Sequence, residues 1–226
     1  MKKIIFSAMM LFAVNLVSGQ TYITGGVNIS NISIDNEGKT EDNNALTSFN
    51  VGLLHQFDLS KIVDLELGLL LTGKGAKAET NFTNNDYNKT QFKPLYIEVP
   101  LNAMIKITDV NKNGIFFHAG PYVAMGVAGK STTETRIGLI QSTSTSDIEF
   151  NNDNPFTSEQ EGASYDKLKR FDYGLNAGLG IGGKNVLLRF NYGLGLAKIN
   201  STQSNNSADE KNKYRVFSLN LAINLN

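Results

Sequence analysis

The chain has 226 residues, with 21 basic, 21 acidic and no cysteine residues, which excludes a disulfide framework, a thiolate metal site and a basic nucleic-acid footprint. Its length suits one large domain. Beyond the N-terminus no segment has the roughly 20 consecutive apolar residues of a transmembrane helix.

The N-terminal stretch "MKKIIFSAMMLFAVNLVSG" places Lys2 and Lys3 before an apolar run from Ile4 to Val14 and ends in the small residues Ser18 and Gly19. That order predicts a secretory signal peptide over 1–19, cleaved before Gln20, and a single domain over 20–226. Removing Lys2 and Lys3 leaves 19 basic against 21 acidic residues, a net charge of −2.

The remaining chain alternates with period two. Strands are predicted at 21–32, 47–59, 63–75, 94–107, 114–128, 169–182, 186–199 and 214–226. In "VDLELGLLLTGK" the residues Val63, Leu65, Leu67, Leu69 and Leu71 share one face, and Asp64, Glu66, Gly68, Leu70, Thr72 and Lys74 share the other. The last strand repeats the pattern, with Phe217, Leu219, Leu221, Ile223 and Leu225 opposed to Ser218, Asn220, Ala222 and Asn224. Each strand therefore carries one oily row and one small or polar row.

The connections alternate as well. Long polar linkers fall at 33–46, 76–93, 129–168 and 200–213, and short ones at 60–62, 108–113 and 183–185. Long loops at one end and tight turns at the other are the pattern of an outer-membrane barrel. The expected fold is all-β: an eight-stranded antiparallel up-and-down transmembrane β-barrel with a closed, side-chain-filled lumen, a plug and not a pore. A soluble lipocalin-like barrel would place the same oily rows inside around a ligand. The glycines on the polar rows, among them Gly174, Gly178, Gly180, Gly193 and Gly195, suit a crowded lumen better than a solvated surface. They are expected to leave room for Tyr22, Tyr96, Met104, Phe116 and Tyr122 from the opposite wall.

Inside such a barrel Glu66 and Glu98, on neighbouring strands, would be buried like charges. Arg189 is the expected partner across the lumen and Lys106 a second one. The cluster is read as structural, since an unpaired buried charge costs several kcal/mol.

The stretches "YITGGVNISNI", "LYIEVPLNAMIK" and "FFHAGPYVAMGV" carry Gly-x-Asn-x-Ser, Tyr-x-Glu-x-Pro and Ala-Gly-Pro-Tyr patterns. With "FNVGLLHQFDLSKIVDLELGLLLTGKGAK" they resemble the PorT-like outer-membrane β-barrel family of Bacteroidetes over most of the chain. The resemblance implies an eight-stranded outer-membrane barrel. One branch of that family serves type IX secretion and gliding.

Catalysis is not expected. The two histidines, His55 and His118, fall toward the turn end and on opposite faces, so neither is placed as a general base beside a serine at the outer rim. The linker 129–168 gathers Asp147, Glu149 and Asp153, oxygen ligands of the type calcium takes, without EF-hand spacing. It is read as a solvated acidic loop that could hold an ion or a partner, with Phe150 and Phe156 able to pack on the rim. No metal or cofactor is expected.

The expected function is anchoring or surface interaction through the outer loops. An accessory role in a secretion or gliding system and a soluble ligand-binding barrel are the alternatives. The partners expected are outer-membrane lipid and other envelope or secretion-system proteins, with the chain itself a monomer.

Overall fold

The computed structural model describes residues 19–36, 39–42, 45–82, 86–107, 114–151, 167–197, 199 and 213–225. The predicted leader over 1–19 lies outside the described residues except for Gly19. The strands are β1 (Gln20–Asn36), β2 (Lys39–Asp42), β3 (Leu46–Asp58), β4 (Val63–Gly73), β5 (Ala76–Asn81), β6 (Tyr87–Lys106) and β7 (Gly114–Ile137). They continue with β8 (Ile140–Asp147), β9 (Glu149–Asn151), β10 (Lys167–Lys169), β11 (Phe171–Gly182), β12 (Val186–Gly195) and β13 (Lys213–Asn224).

The long strands pair antiparallel in the order β6, β4, β3, β1, β13, β12, β11 and β7, and β6 also pairs β7. Glu66 on β4 and Arg189 on β12 stand four strands apart in that order, yet their side chains meet at 2.6 Å. The sheet therefore curls until its polar rows face one another. Short β2 and β5 extend β1 and β6, while β9 and β10 form a separate parallel pair.

Two prolines mark where the ladder loosens. Pro100 and Pro121 have no N–H to donate, and the β4–β6 and β6–β7 registers both skip positions beside them. At the other end of the β6–β7 pair the register shifts between Leu95 and Tyr96, where Val127 is an extra residue on β7. This bulge exchanges the faces. Below it the odd residues of β7 point outward, as Val123 and Met125 do; above it Lys130 is outward and exposed while Ser131 is buried.

The oily rows are on the outside. Val27, Leu53, Leu101, Leu179, Phe190 and Leu219 are all exposed, and the pattern runs through every long strand. A soluble protein rarely exposes a contiguous apolar patch beyond a few hundred Å². The soluble ligand-binding alternative is thereby corrected: the inward rows carry Asp64, Glu66, Lys74, Asp172 and Arg189, all buried, and form no apolar calyx.

The interior is filled. Near the tight turns Tyr22, Leu54, Met104, Phe116 and Leu187 pack together; near the long connections Phe92, Tyr96, Tyr122, Ile148, Leu168 and Tyr214 form a second cluster. The glycines make the space, though for a nearer neighbour than expected. A Cβ at Gly180 would lie 2.2 Å from Phe116, and one at Gly178 would lie 2.6 Å from His118. Both are cross-strand partners in the β7–β11 register, not residues of the opposite wall.

The largest departure from the sequence reading is in 129–168. Strand β7 runs on to Ile137, turns at Gly138 with φ 61°, and returns as β8. Every residue of β8 is exposed. The hairpin is built from threonine and serine, whose branched or hydroxylated side chains pair across strands, as Thr90 with Thr133 at 3.2 Å and Thr132 with Thr145 at 3.3 Å. Because both of its faces are polar, it leaves no hydrophobic period to read.

Candidate functional site

Among the described residues, three ion clusters are stacked through the interior. In the middle, Arg189 Nη1 and Nη2 donate to Glu66 Oε2 and Oε1 at 2.6 and 2.7 Å. The amides of Gln56 and Asn102 each donate to the same carboxylate at 3.1 Å. Four donors on one buried carboxylate satisfy it fully, as burial of a charge demands. His118 Nε2 lies 3.1 Å from Asn191 Oδ1 beside this pair.

Toward the long connections, Lys74 is the buried cation. Its Nζ lies 2.8 Å from Glu98 Oε2 and 2.7 Å from Asp172 Oδ2, and 4.2 Å above the centre of the Tyr122 ring. The Tyr122 hydroxyl donates to Asp172 Oδ2 at 3.1 Å. Toward the tight turns, Lys106 Nζ meets Asp64 Oδ2 at 2.7 Å and Asp58 Oδ1 at 3.4 Å.

Of the four expected cluster residues, the structure thus joins Glu66 and Arg189 and separates the others. Glu98 is held by Lys74. Lys106 is corrected: it belongs to the turn end with Asp64 and Asp58, because strand stagger places it away from Glu66 and Glu98. Lys74 and Asp172 were missed as cluster members, although both share the inward parity of their strands.

Above the Lys74 cluster the mouth is capped from within. Phe150 of β9 sits edge-on to Tyr96 with ring centres 5.7 Å apart, and a Cβ at Gly126 would lie 2.2 Å from its ring. Only glycine admits it there. Ile148 and Leu168 are buried beside it. Between the middle and upper clusters remains a cavity of about 50 Å³ bordered by Glu66, Lys74, Glu98 and Arg189, while the turn end opens into a recess of about 610 Å³. Asp147 and Glu149 are exposed, at the end of β8 and the start of β9; Asp153 and Phe156 lie outside the described residues. His55 Nδ1 is 2.9 Å from Thr21 Oγ1, and its parity is that of the outward row.

The three patterns noted in the sequence line the interior. Asn28 is buried and donates to Thr72 Oγ1 and Gly73 O, both at 2.9 Å. Tyr96 and Glu98 point inward, and Tyr122 holds Asp172. Residues 20–201 match the family described as outer membrane protein beta-barrel domain. This chain belongs to that family. Its place is the outer membrane, and the exposed leucine rows of this outer-membrane beta-barrel protein face lipid.

Among solved structures the chain is similar to Ail, the attachment invasion locus protein of Yersinia pestis, at 12% identity over 92% of this chain and all of that one, with a TM-score of 0.44. It is similar to Neisserial surface protein A at 12% identity, covering 90% and 96% of the two chains, with a TM-score of 0.43. OprG from Pseudomonas aeruginosa shares 16% identity over 92% and 94% of the chains, with a TM-score of 0.36. No curated protein matches the chain.

Proposed function

We propose that this chain, exported by residues 1–19, is a monomeric, closed eight-stranded barrel of the PorT-like branch that carries a surface-interaction module and performs no chemistry. The observation that supports the module is the strand extension above the lipid-facing rows. There β5, the first part of β6, the last part of β7 and all of β8 make a four-stranded blade. At its tip Ile137, Leu139 and Ile140 are 65%, 102% and 76% exposed. Three apolar side chains at the tip of a polar blade suit contact with a partner molecule. The lumen supports the non-catalytic reading, since its charged groups are consumed by one another.

Two experiments test this reading. The chain has no cysteine, so a Leu139→Cys variant carries a unique thiol. It should react with a membrane-impermeant maleimide on intact cells, whereas Lys61→Cys in a tight turn should react only after lysis. A photo-crosslinker at position 139 should then yield a discrete protein adduct on intact cells. The reverse labelling pattern would overturn the orientation, and a lack of any adduct would overturn the interaction role.

The barrel itself is tested on its lipid face. Leu101 lies near the middle of the outward row of β6, which runs from Leu95 to Ile105. Leu101→Arg should cost about 2–4 kcal/mol in a bilayer, the depth-dependent penalty for a midplane cation. Denaturant unfolding of vesicle-embedded protein, followed by unboiled gel mobility, measures it; a cost near zero would contradict a lipid contact there.

A further inference from the structure

Where the outward rows leave the apolar band, β6 and β7 both place a lysine. On β6 the row Ile105, Leu101, Ile97, Leu95 ends at Lys93, and on β7 the row ending at Met125 and Val127 continues across the bulge to Lys130. Lys93 and Lys130 are register partners, both exposed. Partners in an antiparallel ladder lie ~5 Å apart at Cα, and like charges directly opposite are destabilising.

Two charged groups flank the pair on the same face. Lys77 of β5 pairs Gln91, one row farther out, and adds a third cation. Asp147 of β8 pairs Lys130 and is, among the described residues, the one acid in register with the pair. Neither Lys93 nor Lys130 has an ion-pair partner within 4.0 Å among the described residues.

The next rows are different. Lys89 stands in register between Glu79 and Glu134, and Glu134 Oε1 also accepts from the Tyr87 hydroxyl and from Gln141 Nε2 at 2.7 Å. Positive charge is thus balanced away from the membrane and left unbalanced beside it. A net cation cluster one row above hydrocarbon lies at headgroup depth, where lysine stems can rest along apolar surface and the ammonium groups reach phosphate.

We propose that Lys93 and Lys130, assisted by Lys77, bind the phosphate of an outer-leaflet lipid headgroup on the outer wall of the barrel. The bound anion relieves the lysine–lysine repulsion and ties the base of the β5–β8 blade to the membrane surface. The proposal rests on the outward rows facing lipid, so its test scores membrane insertion separately.

The full-length mature protein is folded into phosphatidylcholine vesicles doped with diphosphorylated lipid A, and lipid retained after mild detergent extraction is counted by native mass spectrometry. Wild type should retain lipid A, and the Lys93→Gln/Lys130→Gln variant should bind it about thirtyfold more weakly, from the loss of two headgroup-level cations. Lys93→Arg/Lys130→Arg should retain it. Equal retention of dephosphorylated lipid A, or no loss in the glutamine variant, would overturn the site. Displacement of the lipid by millimolar inorganic phosphate would overturn the lipid as its source in favour of a free anion. Unboiled gel mobility reports insertion in every arm, so a wild-type protein that fails to insert would sink the membrane reading itself and not merely this site.

Discussion

Replacing Arg189 by methionine is expected to destabilise the barrel by about 3–5 kcal/mol, the cost of leaving Glu66 buried without its cation. Glu66 has no exposed surface, and the remaining amide donors of Gln56 and Asn102 cannot neutralise it. The chain contains no tryptophan, so far-UV circular dichroism of vesicle-embedded protein across a urea series is the suitable readout. The double replacement Glu66→Met/Arg189→Met should recover most of the loss. Burying two charges is costly in itself, so an apolar pair of similar volume is often as stable as the ion pair. A neutral single variant would mean that water reaches Glu66 and that the lumen is open at mid-height.

Lys74→Met should cost a comparable amount, about 3–5 kcal/mol, for a different reason. It leaves two carboxylates, Glu98 and Asp172, around one empty position, and removes the cation that lies over the Tyr122 ring. Asp172 Oδ1 has no hydrogen-bond partner among the described residues even with Lys74 in place. Adding Asp172→Asn to Lys74→Met should therefore restore part of the stability by removing one of the stranded charges, measured in the same urea series. If the double variant is no better than the single one, the lysine acts by filling space and not by its charge.

The difference between these two cations shows what could be read in the sequence. Period-two alternation assigns each residue to a wall, and that sufficed to turn Glu66 and Arg189 inward. It carries no information about height, because the stagger of neighbouring strands is set by turns and bulges. Lys106 has inward parity and a tempting charge, yet its partners are Asp58 and Asp64 at the turn end.

Lys74 and Asp172 sit near strand ends, where solvent is the ordinary expectation for a charge. They are buried because Ile148, Phe150 and Leu168 close over them, and those three residues lie in a stretch with no apolar period. The β8 strand escaped for a related reason: a ladder of serine and threonine pairs through hydroxyls and backbone, so a search for one oily face passes over it.

Val127 has a consequence for how this chain tolerates change. One surplus residue in β7 resets which side every later residue occupies, so the address of Lys130 depends on a count as much as on a side chain. Excising Val127 would close the bulge and leave Lys130 opposite Lys93 on the outer face, whereas a further inserted residue between the bulge and Lys130 would send the lysine toward the packed aromatic cap and turn Ser131 to the membrane surface. Substitutions along this stretch are local events. A one-residue insertion rewrites the whole blade, whereas loss of the surplus residue only straightens it.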